Sequence, residues 1–321
     1  MRKFCSVLLM VAAAPAVTLA ASNSLLNLLM PDAKVIAGVE VRQAKGSPFG
    51  TYVLSHMQPS DKAYTDFVTQ TGFDPTRDVD QILMAANGAQ TGPMHWLVVA
   101  RGRFNGSKAE NAAAANGGVV TAYQGVGIIT QKVDDDATFT GTAVAILDSN
   151  TAAMGDLANV KAAIDRAKSA SAAAPALAAK IAQVRGSNDF WFTTLVPLSE
   201  FAGAMPNSGV SSAMRGNVVT AIQQASGGLK FGSTVQLFAE ALTRSEKDAQ
   251  ALVDVVKFLA SMIQTNRDKD TTSAQVSTLL DNLKTNTNGS TMTMNLAIPE
   301  STLENMLTAS HQPRRAKQQQ N

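Results

Sequence analysis

The chain has 321 residues, of which 27 are basic, 25 are acidic and one is cysteine. This charge balance, with only 5% aromatic residues, does not provide the concentrated basic surface or the stacking platforms that nucleic-acid binding requires. Cys5 lies within the first twenty residues, so the rest of the chain can hold no disulfide, Cys–Zn site or cysteine nucleophile.

Residues 1–20 have the layout of a secretory signal peptide. Arg2 and Lys3 precede an apolar run that ends in small residues at Ala20. The run is short and contains Pro15, which disfavours a membrane span. We expect cleavage near Ala20 and export to the periplasm or the extracellular space, with retention of the segment as an anchor as the alternative. The mature chain would hold 25 basic and 25 acidic residues and no transmembrane segment.

The stretch 71–88, TGFDPTRDVDQILMAANG, holds three carboxylates within seven residues, at Asp74, Asp78 and Asp80. They could form a metal or proton-transfer site, or they could belong to the start of a helix. Asp74 followed by Pro75 fits an N-cap and first helical position. Four apolar residues then recur at helical spacing, which predicts a helix reaching residue 86 with Asp78 and Asp80 on its surface: Val79, Ile82, Leu83 and Ala86.

The remainder of the first half, residues 21–168, alternates strands and helices. Strands are predicted over residues 34–41, 95–104 and 118–133, and a further strand begins at residue 142. Helices are predicted over residues 47–57 and in the stretch that ends at residue 164. Ser107 and Glu110, three residues apart, predict a capped helix after the 95–104 strand. An Ala- and Ser-rich segment, residues 169–188, is predicted to connect this half to the next.

The second half, residues 189–309, repeats the order of elements. A strand over 189–198 leads to a helix capped by Ser199, and a strand over 235–244 leads to a helix capped by Ser245 with Asp248. A last strand leads to a helix with Ser301 and Glu304 as its capping box. The polar tail, residues 310–321, is predicted to be disordered.

The shared order predicts an α+β fold of two similar halves that arose by tandem duplication. Each half would be a mainly antiparallel or mixed sheet with helices packed on one face. Chance is the alternative, because strand–helix alternation is common.

The sequence assigns no catalytic residue, no metal ligand and no cofactor. Asp134, Asp135 and Asp136 are consecutive and lack the glycine and distal Glu of a calcium loop, which predicts a solvated turn. The stretch with Asp268 and Asp270 has no glycine at the required place and is predicted to be a loop. His56 and His95 lie in no HExxH motif, and neither GxSxG nor SxxK occurs. Several of the thirteen methionines could either fill the core or line an adaptable apolar groove: Met84, Met94, Met205, Met214, Met262, Met292, Met294 and Met306.

Three stretches resemble a group of exported bacterial proteins without assigned function. They are TGFDPTRDVDQILMAA, LVVARGRF and TAVAILDSNTAAMGDLANVKAAIDRA, which together span mainly residues 71–167. The resemblance rests on a Gly–Phe–Asp–Pro helix start, a strand ending in Arg–Gly–Arg–Phe, and a following strand and helix. The resemblance implies export and an α+β fold, and it assigns no catalytic residues to this chain.

These features favour an exported, non-enzymatic envelope protein that binds or scaffolds an envelope protein or a small apolar ligand. One alternative is a hydrolase assembled from distant residues, such as His56 or His95 with a carboxylate and a serine. Another is a carrier of lipid or another apolar ligand, which requires a continuous apolar cavity.

Overall fold

The computed structural model describes residues 25–56, 62–87, 95–130, 142–169, 178–197, 219–265 and 277–311. Several predicted features lie outside these ranges: the leader 1–20, the cap at Ser199, the aspartates at 134–136, 268 and 270, and residues 312–321 of the tail.

Twelve strands and nine helices are bounded within the described residues. The strands are β1 (Val35–Val39), β2 (Val79–Ala86), β3 (Trp96–Gly102), β4 (Val119–Tyr123), β5 (Val126–Thr130), β6 (Thr142–Asp148), β7 (Thr151–Asp156), β8 (Phe190–Thr194), β9 (Ile222–Lys230), β10 (Thr234–Thr243), β11 (Lys284–Asn288) and β12 (Thr291–Pro299). The helices are α1 (Val41–Lys45), α2 (Pro48–His56), α3 (Lys62–Thr71), α4 (Pro75–Asp78), α5 (Gly106–Ala115), α6 (Leu157–Lys168), α7 (Ala178–Arg185), α8 (Glu246–Thr265) and α9 (Glu300–His311).

All twelve strands belong to one sheet. Its order is β11-β12-β10-β9-β8-β1-β2-β3-β7-β6-β5-β4. The strand pairs are antiparallel, from β11 with β12 at one edge to β4 with β5 at the other. The α+β prediction is therefore confirmed, and β1 and β8 pair directly in the middle of the sheet.

The first face of the sheet carries the larger core. Because side chains alternate along a strand, Leu97 and Val99 of β3 point to this face together with buried residues of β1, β2, β5, β6, β7 and β8. The turn at residues 25–30, α6 and α7 cover it, so the α7 part of the predicted connector contributes Ile181 and Val184 to the core.

The second face is also covered by helices, which corrects the prediction of helices on one face only. Helix α8 packs Leu252 near Phe192 and Ala241, and it packs Val253 against Met292. Helices α3 and α5 lie over the other end of this face. The physical reason is that most strands have apolar residues in both alternating sets, so both faces must be shielded from water.

Residues 79–86 form strand β2, and the predicted helix through this stretch is wrong. The helix that begins after Asp74 ends at Asp78. Six of the eight residues of VDQILMAA are apolar, including the last five, so the run satisfies helical and strand spacing alike. Pairing with β1 on one side and β3 on the other decides between them.

The predicted caps have different outcomes. Ser245 Oγ accepts a hydrogen bond from Asp248 N at 3.2 Å, which confirms that cap. Helix α5 is capped by Asn105, whose side chain accepts from Lys108 N at 3.0 Å, so the prediction of Ser107 is wrong by two residues. Helix α9 already begins at Glu300 and runs to His311, so Ser301 is not its cap and the predicted tail starts two residues too early.

Within the described part of the chain, no helix combines the length and apolar character needed to span a membrane.

Candidate functional site

An apolar cleft of about 740 Å³ opens on the second face of the sheet, beneath α3 and α5. The residues around it come from the sheet, from the two helices and from the segments that flank them. They are Asp66, Phe67, Gln70, Thr71, Phe73, Val79, Val98, Ala100, Phe104, Asn105, Ala109, Ala112, Ala113, Asn116, Ile129, Val144, Ile146, Ala152, Ala153 and Met154.

The floor of the cleft is built by four adjacent strands, β3, β7, β6 and β5. Val98 and Ala100 alternate with the buried Leu97 and Val99, so they point away from the main core. The corresponding residues of the neighbouring strands extend the same apolar surface: Ala152, Met154, Val144, Ile146 and Ile129.

The roof of the cleft is made largely of alanine. Helix α5 points Ala109, Ala112 and Ala113 towards the sheet. A methyl group fills much less space than a Leu or Phe side chain, so the gap between helix and sheet stays open. Asn116 Nδ2 donates to Gln70 Oε1 at 2.7 Å and links the end of α5 to α3.

Three phenylalanines form one side of the cleft. The ring centroids of Phe73 and Phe104 are 5.3 Å apart, and those of Phe67 and Phe73 are 6.3 Å apart. Such spacing is favourable for aromatic pairs. Phe67 and Met154 both keep exposed apolar surface at the cleft, so the cavity lining is open to solvent there.

The carboxylate of Asp78 holds this aromatic side in place. Asp78 is 5% exposed, and its carboxylate accepts hydrogen bonds from Arg77 Nη2 (2.6 Å), Arg103 Nε (3.1 Å) and the backbone N–H of Asp74 (2.9 Å). Phe73 precedes Asp74 and Phe104 follows Arg103, so the ion pairs fix the two segments that carry these rings. The hydrogen bonds from Arg77 hold the pKa of Asp78 far below its usual range.

Asp74 has a purely local role. It accepts from Thr76 N at 2.9 Å, as the predicted N-cap should, and from Tyr64 Oη at 2.8 Å. The hydrogen bond from the Thr76 hydroxyl lowers the pKa of Asp74, and the bond to Asp74 raises the pKa of Tyr64. Asp80 lies elsewhere, in an exposed pair with Arg42. The three carboxylates are therefore not convergent ligands, and Asp78 is buried where a surface position was predicted.

His95 is not part of the cleft. Its Nδ1 lies 3.3 Å from Asp156 Oδ2, and its side chain is 53% exposed. Asp156 Oδ2 also accepts from Trp96 N at 3.0 Å and Asn159 Nδ2 at 3.2 Å. The carboxylate thus links β3 to the start of α6. The side chain of His56 lies outside the described structure.

The methionines named from the sequence divide between core and surface. Met292 and Met294 pack under α8, which is the core-filling alternative. Met84 is exposed on β2, and Met262 is exposed on α8. Met94, Met205 and Met214, and the side chain of Met306, lie outside the described structure. Met154, which no sequence pattern singled out, lines the cleft.

Among the described residues, no group of three or more His, Cys, Asp or Glu side chains is arranged to hold a metal ion.

No known family model matches the chain, and no curated protein is similar to it at a significant level. A solved structure described as crystal form I of TP0453 has a TM-score of 0.49 with this chain, at 10% sequence identity. The alignment covers 88% of this chain and 96% of that one. A similarity of this size assigns neither a family nor a function.

Proposed function

We propose that this protein is an exported, non-enzymatic module that binds a small apolar ligand in the cleft between α5 and the sheet. The observation that carries the proposal is the cleft itself, the continuous apolar cavity that an apolar-ligand carrier requires. Its volume lies within the range of about 300–1,000 Å³ that is usual for small-molecule sites. Export rests on the sequence of residues 1–20, and N-terminal sequencing of secreted protein, with Ala21 expected first, tests it.

Several polar side chains near the cleft already have partners within the protein, which favours an apolar ligand over a charged one. Asp66 is paired with Lys62 at 2.5 Å, and Gln70 accepts from Asn116. The side chain of Asn105 caps α5. A charged ligand entering the cavity would lose water without gaining comparable partners, which is costly. A hydrocarbon group would gain about 25 cal/mol for each Å² of apolar surface that it buries.

Filling the cleft tests the proposal. Ala112→Phe places a ring into the space above the sheet, and we expect it to reduce binding of the uncharged fluorescent probe N-phenyl-1-naphthylamine at least about tenfold, the loss of roughly 1.4 kcal/mol. Ala114→Phe is the matched control, because Ala114 is exposed on the same helix and does not line the cleft.

Probe fluorescence is titrated with the wild type and both variants, and thermal unfolding confirms that each is folded. Unchanged probe binding in a folded Ala112→Phe protein would contradict the proposal. A wild-type protein that does not bind the probe would contradict it too.

We also propose that the two halves of the sheet descend from one unit. Outward from the β1–β8 pair, each side presents two further strands in the order β2-β3 or β9-β10. The next strand outward on each side is the one that precedes the last helix of that half in the chain. This strand is β7, before α6, on one side and β12, before α9, on the other. This order makes β12 the counterpart of β7. Superposing β1–β3 on β8–β10 tests the proposal, and strands that run in opposite senses would contradict it.

A further inference from the structure

The floor of the cleft continues beyond the helices that cover it. Cross-strand partners in the sheet form a row of directly opposed residues on the second face, and every member from β8 to β4 is apolar. The row consists of Phe192, Ala37, Met84, Val98, Met154, Val144, Ile129 and Val120.

A second row runs two residues away from the first. Its members are Phe190, Val39, Ile82, Ala100, Ala152 and Ile146, again directly opposed and apolar. Side chains opposed across neighbouring strands lie about 5 Å apart, so both rows are continuous apolar surfaces.

Only part of the two rows lies in the cleft. Val98 and Ala100 of β3 line it, but their partners on β2, Met84 and Ile82, do not. Met84 is 42% exposed although it is a large apolar side chain. We call Met84, Ile82, Ala37 and Val39 the apolar band. The band extends the cleft floor across β2 and β1 towards α8.

We propose that the ligand is a long, unbranched hydrocarbon chain, one end of which lies in the cleft while the rest lies across the apolar band. This inference rests on the proposed function and names its ligand class. From β7 to β1 the two rows cross three strand spacings, about 14 Å. A compact aromatic ligand would fill the cleft and leave Met84 in water. An extended acyl chain covers both the cleft floor and the apolar band, because the two rows run from the cleft to the band without a polar residue.

Chain length and one substitution on the band test the inference. The probes are decanoate and stearate, measured by displacement of the naphthylamine probe or by calorimetry. We expect the wild type to bind stearate more tightly than decanoate. Met84→Lys should weaken stearate binding roughly tenfold, the loss of one buried apolar side-chain contact, and should leave decanoate binding unchanged.

Val119→Lys is the matched control. Val119 is 44% exposed, also on a strand, but it lies on β4 and outside both rows. It should change the binding of neither acid, whereas Ala112→Phe should weaken the binding of both.

A lysophospholipid with a stearoyl chain is tested as well, to distinguish a free fatty acid from the acyl chain of a phospholipid. If it binds with the same dependence on Met84, the acyl chain of a phospholipid is accepted. If stearate alone shows that dependence, the ligand is a free fatty acid, and both results support the inference.

The inference is overturned if decanoate and stearate bind equally well, or if Met84→Lys changes neither stearate nor lysophospholipid binding. The proposed function would survive that result, provided that Ala112→Phe still weakens the binding of both acids. If the wild type binds neither acid and no naphthylamine probe, the proposed function fails as well.

Discussion

Replacing Asp78 with Asn should destabilise the protein substantially, although this aspartate occurs in a stretch that reads as a charged surface. The carboxylate is 5% exposed and accepts hydrogen bonds from the charged guanidinium groups of Arg77 and Arg103. Asn keeps the shape but removes the charge, and its amide N–H₂ would face guanidinium donors. Hydrogen bonds to charged groups contribute about 1.5–3 kcal/mol each.

The expected loss is about 2–3 kcal/mol in the free energy of unfolding, the upper part of that range. The full cost of breaking a buried ion pair, about 3–5 kcal/mol, does not apply here. Arg77 and Arg103 are 57% and 66% exposed, so water can solvate them once the carboxylate is neutral.

Asp80→Asn is the matched control. Asp80 is two residues away and pairs with Arg42, an exposed side chain on α1. Exposed ion pairs contribute little, so this variant should lose about 1 kcal/mol or less. Urea denaturation of both variants and the wild type at pH 7 measures the difference.

The effect of Asp78→Asn should also depend on pH in a defined direction. The pKa of Asp78 in the folded protein lies below its value of about 3.9 in an unfolded chain. The charged form therefore stabilises the fold above pH 4, and this contribution is lost as the pH falls from about 4 towards the folded-state pKa. The reasoning is refuted if the wild type and Asp78→Asn are equally stable at pH 7, or if the difference between their free energies of unfolding increases below pH 4.

Two further variants test the packing and the capping. Gly38→Ala should cost roughly 3 kcal/mol, the upper end for overpacking, because an added Cβ would lie 2.3 Å from Cζ2 of the buried Trp191; thermal and urea unfolding that match the wild type would contradict this packing. Ser245→Ala should cost about 1 kcal/mol through loss of the α8 cap, and a loss below the error of urea denaturation would show that the cap is dispensable.

Local signals in the sequence predicted much of the secondary structure. The β3 strand, the Asp74–Pro75 helix start and the Ser245 cap all depend on residues close together in the chain, so their patterns are visible without a fold. The failure at β2 has a physical cause. When apolar residues follow one another without interruption, as over residues 82–86, spacing cannot distinguish strand from helix, and pairing with β1 and β3 decides.

The cleft could not be predicted, because it depends on which strands become neighbours. Val98, Met154, Val144 and Ile129 come from four strands and align only after β3, β7, β6 and β5 pair. The alanines of α5 carry no signal by themselves, because alanine is common in ordinary helices. Asp78 is similar: its burial depends on Arg103, twenty-five residues away.

Mass spectrometry of the molecules that copurify with the protein is the decisive test of whether the cleft holds a long hydrocarbon chain. The wild type and Ala112→Phe are purified in parallel from the same host cells, without detergent, and each is extracted with organic solvent. We expect a long-chain fatty acid or phospholipid at close to one per wild-type molecule and a marked depletion in folded Ala112→Phe. No such lipid in the wild type, or equal amounts in both proteins, would contradict it.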